Sequence, residues 1–446
     1  MTARRARGVI GGVALSFLLV GGVGPRPAGA AEDPPTRTPI KHFVTLMQEN
    51  HTFDNYFGTY AGANGIPPGV CMPEDPEVQG GPCVTPFPMN GQPALDLGHS
   101  RLAFDDQYRN GAMDGFVAAQ GGSRTVMGYY NDQDLPYYYN IADQYVLFDN
   151  WFSSSGGGSL QNHFYWIAGA PGAAGESIPP EGIDIPVVFD RLQAAGISWK
   201  FYIQNYDPTI TFRGLEGEGD RASQVVWAPI LTMPRYIDNP ELMSHVVDMD
   251  QFYADLEAGT LPSVAYLVPS GASEHPPGSV RAGQRFVQTL INAIIRSQYW
   301  GDTAFTWTYD DWGGWYDHVP PPQVDQYGLG FRVPSLLVSS MAKQGYIDST
   351  QHEFASIVRF ITDNWNLASV GSRDAAASSI VEAFAFDQPP RAPFFVTTDR
   401  IPPEEREQPN RAVLYVAYGS SIAFELLSIA GAILVTRRRS RRASVS

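Results

Sequence analysis

Two acidic pairs carry the clearest chemical potential in this chain. Glu49-Asn50 and Asp310-Asp311 are hard oxygen donors far apart in sequence. Brought together, they would suit a divalent cation, which prefers carboxylate and amide oxygens. Alone, an Asp-Asp pair reads equally as a helix cap or turn. Here the second pair opens the stretch Asp310-Asp311-Trp312-Gly313-Gly314-Trp315-Tyr316-Asp317-His318, whose two glycines let backbone approach a ligand closely. Ser159 follows three glycines and precedes a helical pattern over Leu160–Ala168. At a helix N-terminus, backbone N–H groups stabilise an anion, a setting that suits a hydroxyl attacking phosphorus beside a metal. The same residue also reads as a plain helix N-cap in a Gly/Ser loop. Of the eight histidines, His99, His275 and His318 lie beside Ser, Asp or Glu and could protonate a leaving group or hold a phosphoryl oxygen. His42, His245 and His352 read as surface or supporting residues.

Positioning such groups requires a scaffold, and short apolar runs supply one. Phe43–Met47, Val146–Phe152, Trp199–Ile203, Val264–Val268, Phe305–Tyr309 and Val333–Val338 are strand candidates. The polar clusters that could do chemistry follow these runs directly. Helical periodicity appears in Phe286, Val287, Leu290, Ile291, Ile294 and Ile295, and again in Phe354, Ile357, Val358, Ile361 and Trp365, with Ser349 or Thr350 as a cap. Buried strands alternating with amphipathic helices predict an α/β domain with a mostly parallel central sheet and helices on both faces. In open sheets of that kind ligands bind beyond the carboxyl ends of the strands, where the polar clusters fall.

The 446 residues are 43% hydrophobic and 17% charged, too apolar for a disordered chain. Residues 1–30 read as an export signal: Arg4, Arg5 and Arg7 precede the apolar run Val9–Val23, and Ala28-Gly29-Ala30 offers small residues for cleavage. Arg4-Arg5 fits either a twin-arginine or an ordinary secretory signal. Ala412–Thr436 is long enough to span a bilayer, and five arginines follow within residues 437–446, which predicts a cytoplasmic tail and a catalytic body outside the membrane. Glu425 within that span reads as a protonated carboxylate or a contact to another helix. The expected organisation is a signal at 1–30, a catalytic domain at 31–383, a Pro-rich acidic stalk at 384–411, a transmembrane helix at 412–436 and a basic tail at 437–446. Residues 31–411 carry 21 basic and 45 acidic side chains, a net of −24. That field disfavours nucleic acid as a partner and opposes anionic substrates unless a cation offsets it. Cys71 and Cys83 in an exported chain favour a disulfide, with two free thiols as the alternative.

Taken together, the motifs resemble a known family. Glu49-Asn50-His51-Thr52-Phe53-Asp54-Asn55-Tyr56-Phe57-Gly58 is similar to the opening motif of the bacterial phosphoesterase family that holds phospholipases C and secreted acid phosphatases. Gly158-Ser159-x-x-Asn162, Glu274-His275-Pro276 and Asp310-Asp311-x-Gly313-Gly314-x-x-Asp317-His318-x-Pro320-Pro321 resemble three further motifs, in the family's order, across roughly residues 38–368. The resemblance implies an alkaline-phosphatase-like fold and metal-assisted phosphoester hydrolysis. It implies Glu49, Asn50, Asp310 and Asp311 as ligands of a divalent cation (Ca, Mg, Mn or Zn). Ser159 is implied as the nucleophile of a phosphoenzyme. His99, from Asp96-x-x-His99, and His275 are implied at the phosphoryl group or leaving group, with Asn162 and His318 as further catalytic residues. Asp311 stands where the family usually has Glu, and Gly157 and Gln161 stand where it often has proline. Residues 369–411 are too short for the C-terminal β-domains of the phospholipases, so the layout is closer to the phosphatase-like branch. The expected substrate is a phosphoester or phospholipid, with oligomeric state left open. The rival expectation is a binding or adhesion module that has lost turnover.

Overall fold

The computed structural model describes residues 34–399, apart from 173, 174, 176 and 216–221. The export signal (1–30), the apolar span (412–436) and the basic tail (437–446) lie outside the described residues. Among the described residues no helix is long and apolar enough to cross a membrane.

Eight strands form one sheet. In chain order they are β1 (His42–Gln48), β2 (Val146–Phe148), β3 (Trp199–Ile203), β4 (Val246–Asp248), β5 (Val264–Val268), β6 (Thr303–Tyr309), β7 (Ser335–Ser339) and β8 (Tyr346–Asp348). Across the sheet they run β8-β2-β7-β6-β1-β5-β3-β4. Every pairing is parallel except those of β7, which runs antiparallel to both β6 and β2. The mostly parallel α/β domain expected from the strand–helix alternation is therefore present. The central strands β1, β5 and β6 are buried along their whole length, as sheets covered on both faces require.

Helices cover both faces. On β1, Phe43 packs its ring 5.0 Å from Phe360 of a helix at Ala355–Asn364, and the Trp166 indole donates to Thr45 Oγ1 at 3.1 Å from a helix at Ser159–Ala168. Leu46, on the opposite face, is in parallel register with Trp307. The Trp307 ring lies 5.5 Å from Tyr138 of a helix at Pro136–Gln144. The long helix Val280–Arg296 sits beside that one, with Gln284 Oε1 accepting from the Tyr137 N–H. Each of its buried Val, Leu and Ile side chains contributes about 1.5–3 kcal/mol through removal of apolar surface from water.

The structure departs from expectation at several edges. The second strand stops at Phe148; Trp151 and Phe152 instead make single bridges to His352 and Arg332. The sixth expected strand lies two residues later, at Ser335–Ser339. Edge strands β4 and β8, three residues each, are too short to show a period. Neither Ser349 nor Thr350 caps the later helix, whose N-cap position is Phe354. Residues from Phe384 onward, expected as a stalk, pack on the domain as far as Thr397. Phe384 stacks on Phe360 and Phe386, the Arg391 guanidinium lies 4.4 Å over the Tyr145 ring, and Asn140 donates to the Thr397 carbonyl. Cys71 and Cys83 form a disulfide, with Cα atoms 5.3 Å apart.

Candidate active site

Gln48 of β1 lies opposite Tyr309 of β6 in parallel register, so the residues that follow each strand emerge side by side. The Asp310 N–H continues the ladder to the Gln48 carbonyl at 3.0 Å. Glu49-Asn50 and Asp310-Asp311 are thereby brought together at the carboxyl edge, all four buried. Asn50 adopts the left-handed region at φ 65° and donates its backbone N–H to Asp310 Oδ1 at 3.1 Å. Gly313, at φ 58°, is required there, because a Cβ would lie 2.2 Å from the Asn50 carbonyl oxygen. On the other side of β1, strand β5 leads into the loop that carries Glu274 and His275. The Gln48 side chain holds this loop by accepting from the Glu274 N–H at 3.1 Å and donating to the Ala272 carbonyl at 3.3 Å.

The Asn50 carboxamide lies between two unlike neighbours. One end is 2.9 Å from Asp310 Oδ1 and 3.1 Å from Glu49 Oε2; the other is 3.1 Å from His275 Nε2 and 3.2 Å from His99 Nε2. His99 Nδ1 donates to the Leu97 carbonyl at 2.7 Å, and His275 Nδ1 to the Pro276 carbonyl at 2.7 Å. In their neutral forms both Nε2 atoms are therefore acceptors, and they match the NH2 end of the amide. Asn50 Oδ1 then faces two carboxylate oxygens, an arrangement that repels unless a cation sits among them. The reverse orientation satisfies the amide in a metal-free site only if both histidines carry a proton on Nε2.

Electrostatics point the same way. Burial, followed by the charges of Asp310 and Asp311, pushes the Glu49 carboxyl well above the usual carboxylate range. Asp310 Oδ2 and Glu49 Oε1 receive no hydrogen bond, and His163 Nε2 lies 3.4 Å from the latter. Among the described residues no lysine or arginine pairs with Glu49 or Asp310. Buried carboxylates this close need a counter-charge. The donor set thus fits a divalent cation, held by Glu49, Asn50 and Asp310. Asp311 acts on Glu49 through its charge, while its Oδ1 accepts from the Gly313 N–H at 2.8 Å.

Ser159 is the first residue of its helix; the N-cap is Gly158, so the N-cap reading of Ser159 is corrected. The loop ahead of it is buried and hydrogen-bonded. Asn162 Nδ2 donates to the carbonyls of Ser155, Gly157 and Gly158 at 3.2–3.4 Å. The Gly157 N–H donates to Ser155 Oγ, which also contacts Gln161 Oε1. A Cβ on Gly157 would lie 1.7 Å from that oxygen. Side-chain hydrogen bonds therefore hold the loop at the positions where the resembled family often has proline, and Asn162, expected as a further catalytic residue, ties its carbonyls together. Ser159, His99 and His275 are partly exposed, whereas Glu49, Asn50 and Asp310 are buried.

His318 does not join this group. Its Nδ1 lies 2.6 Å from Asp54 Oδ2 and its Nε2 3.3 Å from Asn64 Oδ1. There the buried Arg332 guanidinium bridges Asp54 and Asp317. His318, expected as a further catalytic residue, thus has Asp54 and Arg332 as partners rather than Glu49, Asn50 or Asp310. Three contributors escaped sequence reasoning. His163, one helical turn beyond Ser159, could have been found from that spacing. Trp227, whose indole offsets part of the upward shift of the Glu49 carboxyl, and Arg332 carry no sequence signal. Glu274 is buried and accepts from the hydroxyls of Tyr56, Tyr138 and Tyr309. Burial raises its carboxyl to about 7 despite those donors.

The model of the phosphoesterase family matches residues 40–368. Phospholipase C A of Mycobacterium tuberculosis is 28% identical over 435 residues, covering 82% of this chain and 81% of that protein. A non-hemolytic phospholipase C of Burkholderia pseudomallei is 27% identical over 446 residues, covering 83% and 63%. Among solved structures, a Vibrio parahaemolyticus protein of the alkaline phosphatase superfamily is similar with a TM-score of 0.39 and 12% identity, over 79% of this chain and 74% of that one.

Proposed function

The chain belongs to the phosphoesterase family and is a phosphoric ester hydrolase, and from that premise we propose a metal-dependent enzyme that cleaves phosphoesters through a Ser159 phosphoenzyme. The observation that carries this reading is the buried oxygen nest of Glu49, Asn50 and Asp310, joined to the Ser159 turn through His163. A divalent cation held there supplies charge neutralisation at phosphoryl oxygens and lowers the pKa of a nearby hydroxyl. The protein's own residues do the rest. Ser159 Oγ gives its proton to Nε2 of His99 or His275 and forms the bond to phosphorus as the bond to the leaving oxygen breaks. The imidazolium so formed returns that proton to the leaving oxygen. Water then cleaves the phosphoserine, returning the hydroxyl and releasing the phosphorylated product. The N–H groups at the start of the Ser159 helix stabilise the phosphoryl oxygens. Relatives named phospholipase C favour a phospholipid diester over a simple monoester as substrate. This shifts the preference away from the phosphatase-like layout read from chain length. An export signal at 1–30 and a membrane helix at 412–436 would hold the site outside the cell, close to lipid head groups.

The test compares the full-length protein in detergent with Ser159→Ala, each metal-replete and chelated. Substrates are a chromogenic monoester, a choline phosphodiester and a phospholipid. Metal-dependent release of phosphorylated head group, abolished by Ser159→Ala, is the expected result. Undiminished turnover by Ser159→Ala would refute the phosphoenzyme; no turnover by folded, metal-loaded protein would favour the binding module.

A further inference from the structure

His163 is a buried group at the site to which neither the motifs nor the proposed chemistry gives a chemical role. Its side chain is fully buried, one turn into the helix that Ser159 begins. Nδ1 lies 2.9 Å from the Ser159 carbonyl oxygen. A carbonyl only accepts, so Nδ1 carries the proton and a neutral ring leaves Nε2 as a bare lone pair. That lone pair is aimed at carboxylates. Nε2 is 3.4 Å from Glu49 Oε1, and ligand atoms of Glu49, His163 and Asp310 all lie within 4.8 Å of one another. Nε2 receives no hydrogen bond. Acceptors facing each other in a buried space demand a cation or a shared proton between them.

We infer that His163 is a nitrogen ligand of the same cation, completing with Glu49, Asn50 and Asp310 a mixed nitrogen–oxygen set. This rests on the metal-dependent reading above. An imidazole bound through one nitrogen while the other donates to a backbone carbonyl is the usual arrangement of a metal-ligating histidine. Two consequences follow. The first is metal class: a buried imidazole favours Zn, Mn, Fe or Co over Ca or Mg, which take oxygen alone. The second is coupling. The Nδ1 partner is the carbonyl of Ser159 itself, so the cation and the nucleophile's backbone are joined through one ring.

The other two acidic–histidine groups among the described residues lack this combination. Asp54, Asp317 and His318 already surround the Arg332 guanidinium, and Asp96 beside His99 and His275 is exposed.

The test uses metal binding rather than turnover. Full-length protein and His163→Gln are titrated with Zn2+ and with Ca2+ against a competing chelator. The Mn2+-loaded forms are examined by pulsed EPR for nitrogen coupling. The wild type is expected to prefer Zn2+. His163→Gln should lose at least about 10-fold in Zn2+ affinity, while Ca2+ affinity moves far less. Nitrogen coupling should vanish in His163→Gln and persist in a His99→Ala/His275→Ala protein. The second variant keeps the question open to refutation if His163→Gln fails to fold. Unchanged Zn2+ affinity in a folded His163→Gln protein, or no nitrogen coupling in the wild type or in His99→Ala/His275→Ala, would overturn the inference. Failure of the phosphoesterase reading looks different: a wild type that binds Zn2+ with nitrogen coupling yet turns over no substrate.

Discussion

Replacing Arg332 by methionine is expected to destabilise the protein by about 3–5 kcal/mol, the usual cost of leaving buried charges without their partner. The guanidinium is fully buried and uses all five of its N–H groups. Nε and Nη2 donate to Asp317 at 2.9 and 3.1 Å, Nη2 also to Asp54 Oδ1 at 3.0 Å, and Nη1 to the carbonyls of Asn64 and Asp149 at 2.8 and 2.6 Å. Without it two buried carboxylates face each other, with only His318 against Asp54. At a urea slope of about 3 kcal/mol/M or somewhat more, the unfolding midpoint should fall by about 1 M. The cost should also depend on pH. Burial already raises the Asp317 carboxyl despite Arg332, and removing the cation raises it further. A carboxyl whose folded-state pKa exceeds its unfolded value stabilises fully at low pH and loses that contribution as pH rises through the folded value. The deficit should therefore be smaller at pH 4.5 than at pH 7.5. The informative comparison is Asp54→Asn/Arg332→Met/Asp317→Asn, which removes the charges together. It should recover a substantial part of the loss, because replacing a buried pair costs less than breaking it. Urea melts followed by tryptophan fluorescence would read both. An Arg332→Met midpoint within about 0.3 M of wild type, or a triple variant no more stable than the single one, would refute the argument.

Two other predictions follow from buried groups. Glu274→Gln should flatten part of the pH dependence: relative to this variant the wild type should lose up to about 3 kcal/mol between pH 4.5 and about 7, where the raised Glu274 carboxyl ionises in the fold. Stability differences that stay constant over that window would count against it. Gly313→Ala should lower stability by about 1–3 kcal/mol through its left-handed backbone and its clash with the Asn50 carbonyl, and weaken cation binding with it. Gly301→Ala, where a Cβ meets nothing within 4 Å, is the control; thermal melts and a cation titration that fail to separate the two would contradict the steric account.

The central strands were legible because burial on both faces leaves continuous apolar runs. Trp199–Ile203 and Val264–Val268 match the sequence reading residue for residue. The edge strands β4 and β8 were not, since three residues show no period and their partners are distant. Proline and charge beyond Phe384 suggested a stalk, but composition does not report that Phe384 finds Phe360 or that Arg391 covers Tyr145. At the site, the structure brings together Glu49, Asn50, Asp310 and Asp311, the residues whose types had suggested a shared ligand set. Their neighbours His163 and Trp227 act through positions that only the folded chain brings together.

Each of the two acidic motifs turns out to have two halves with different work. Glu49-Asn50 and Asp310 meet at the strand ends, whereas Asp54 and Asp317-His318, a few residues later in the same motifs, meet around Arg332. Sequence alone shows two runs of acidic and imidazole groups and offers no basis for dividing them. Charge balance does. The Asp54–Asp317 cluster holds a cation that the chain itself provides, with every guanidinium proton placed, so it can serve as a fixed clamp between the two motifs. The Glu49–Asp310 cluster has no such cation among the described residues, and His163 Nε2 lies 3.4 Å from Glu49 Oε1. A clamp completed from within and a neighbouring nest with no counter-charge among the described residues give one reason for the motif length. The outer half fixes the loop geometry that the inner half needs before any cation arrives.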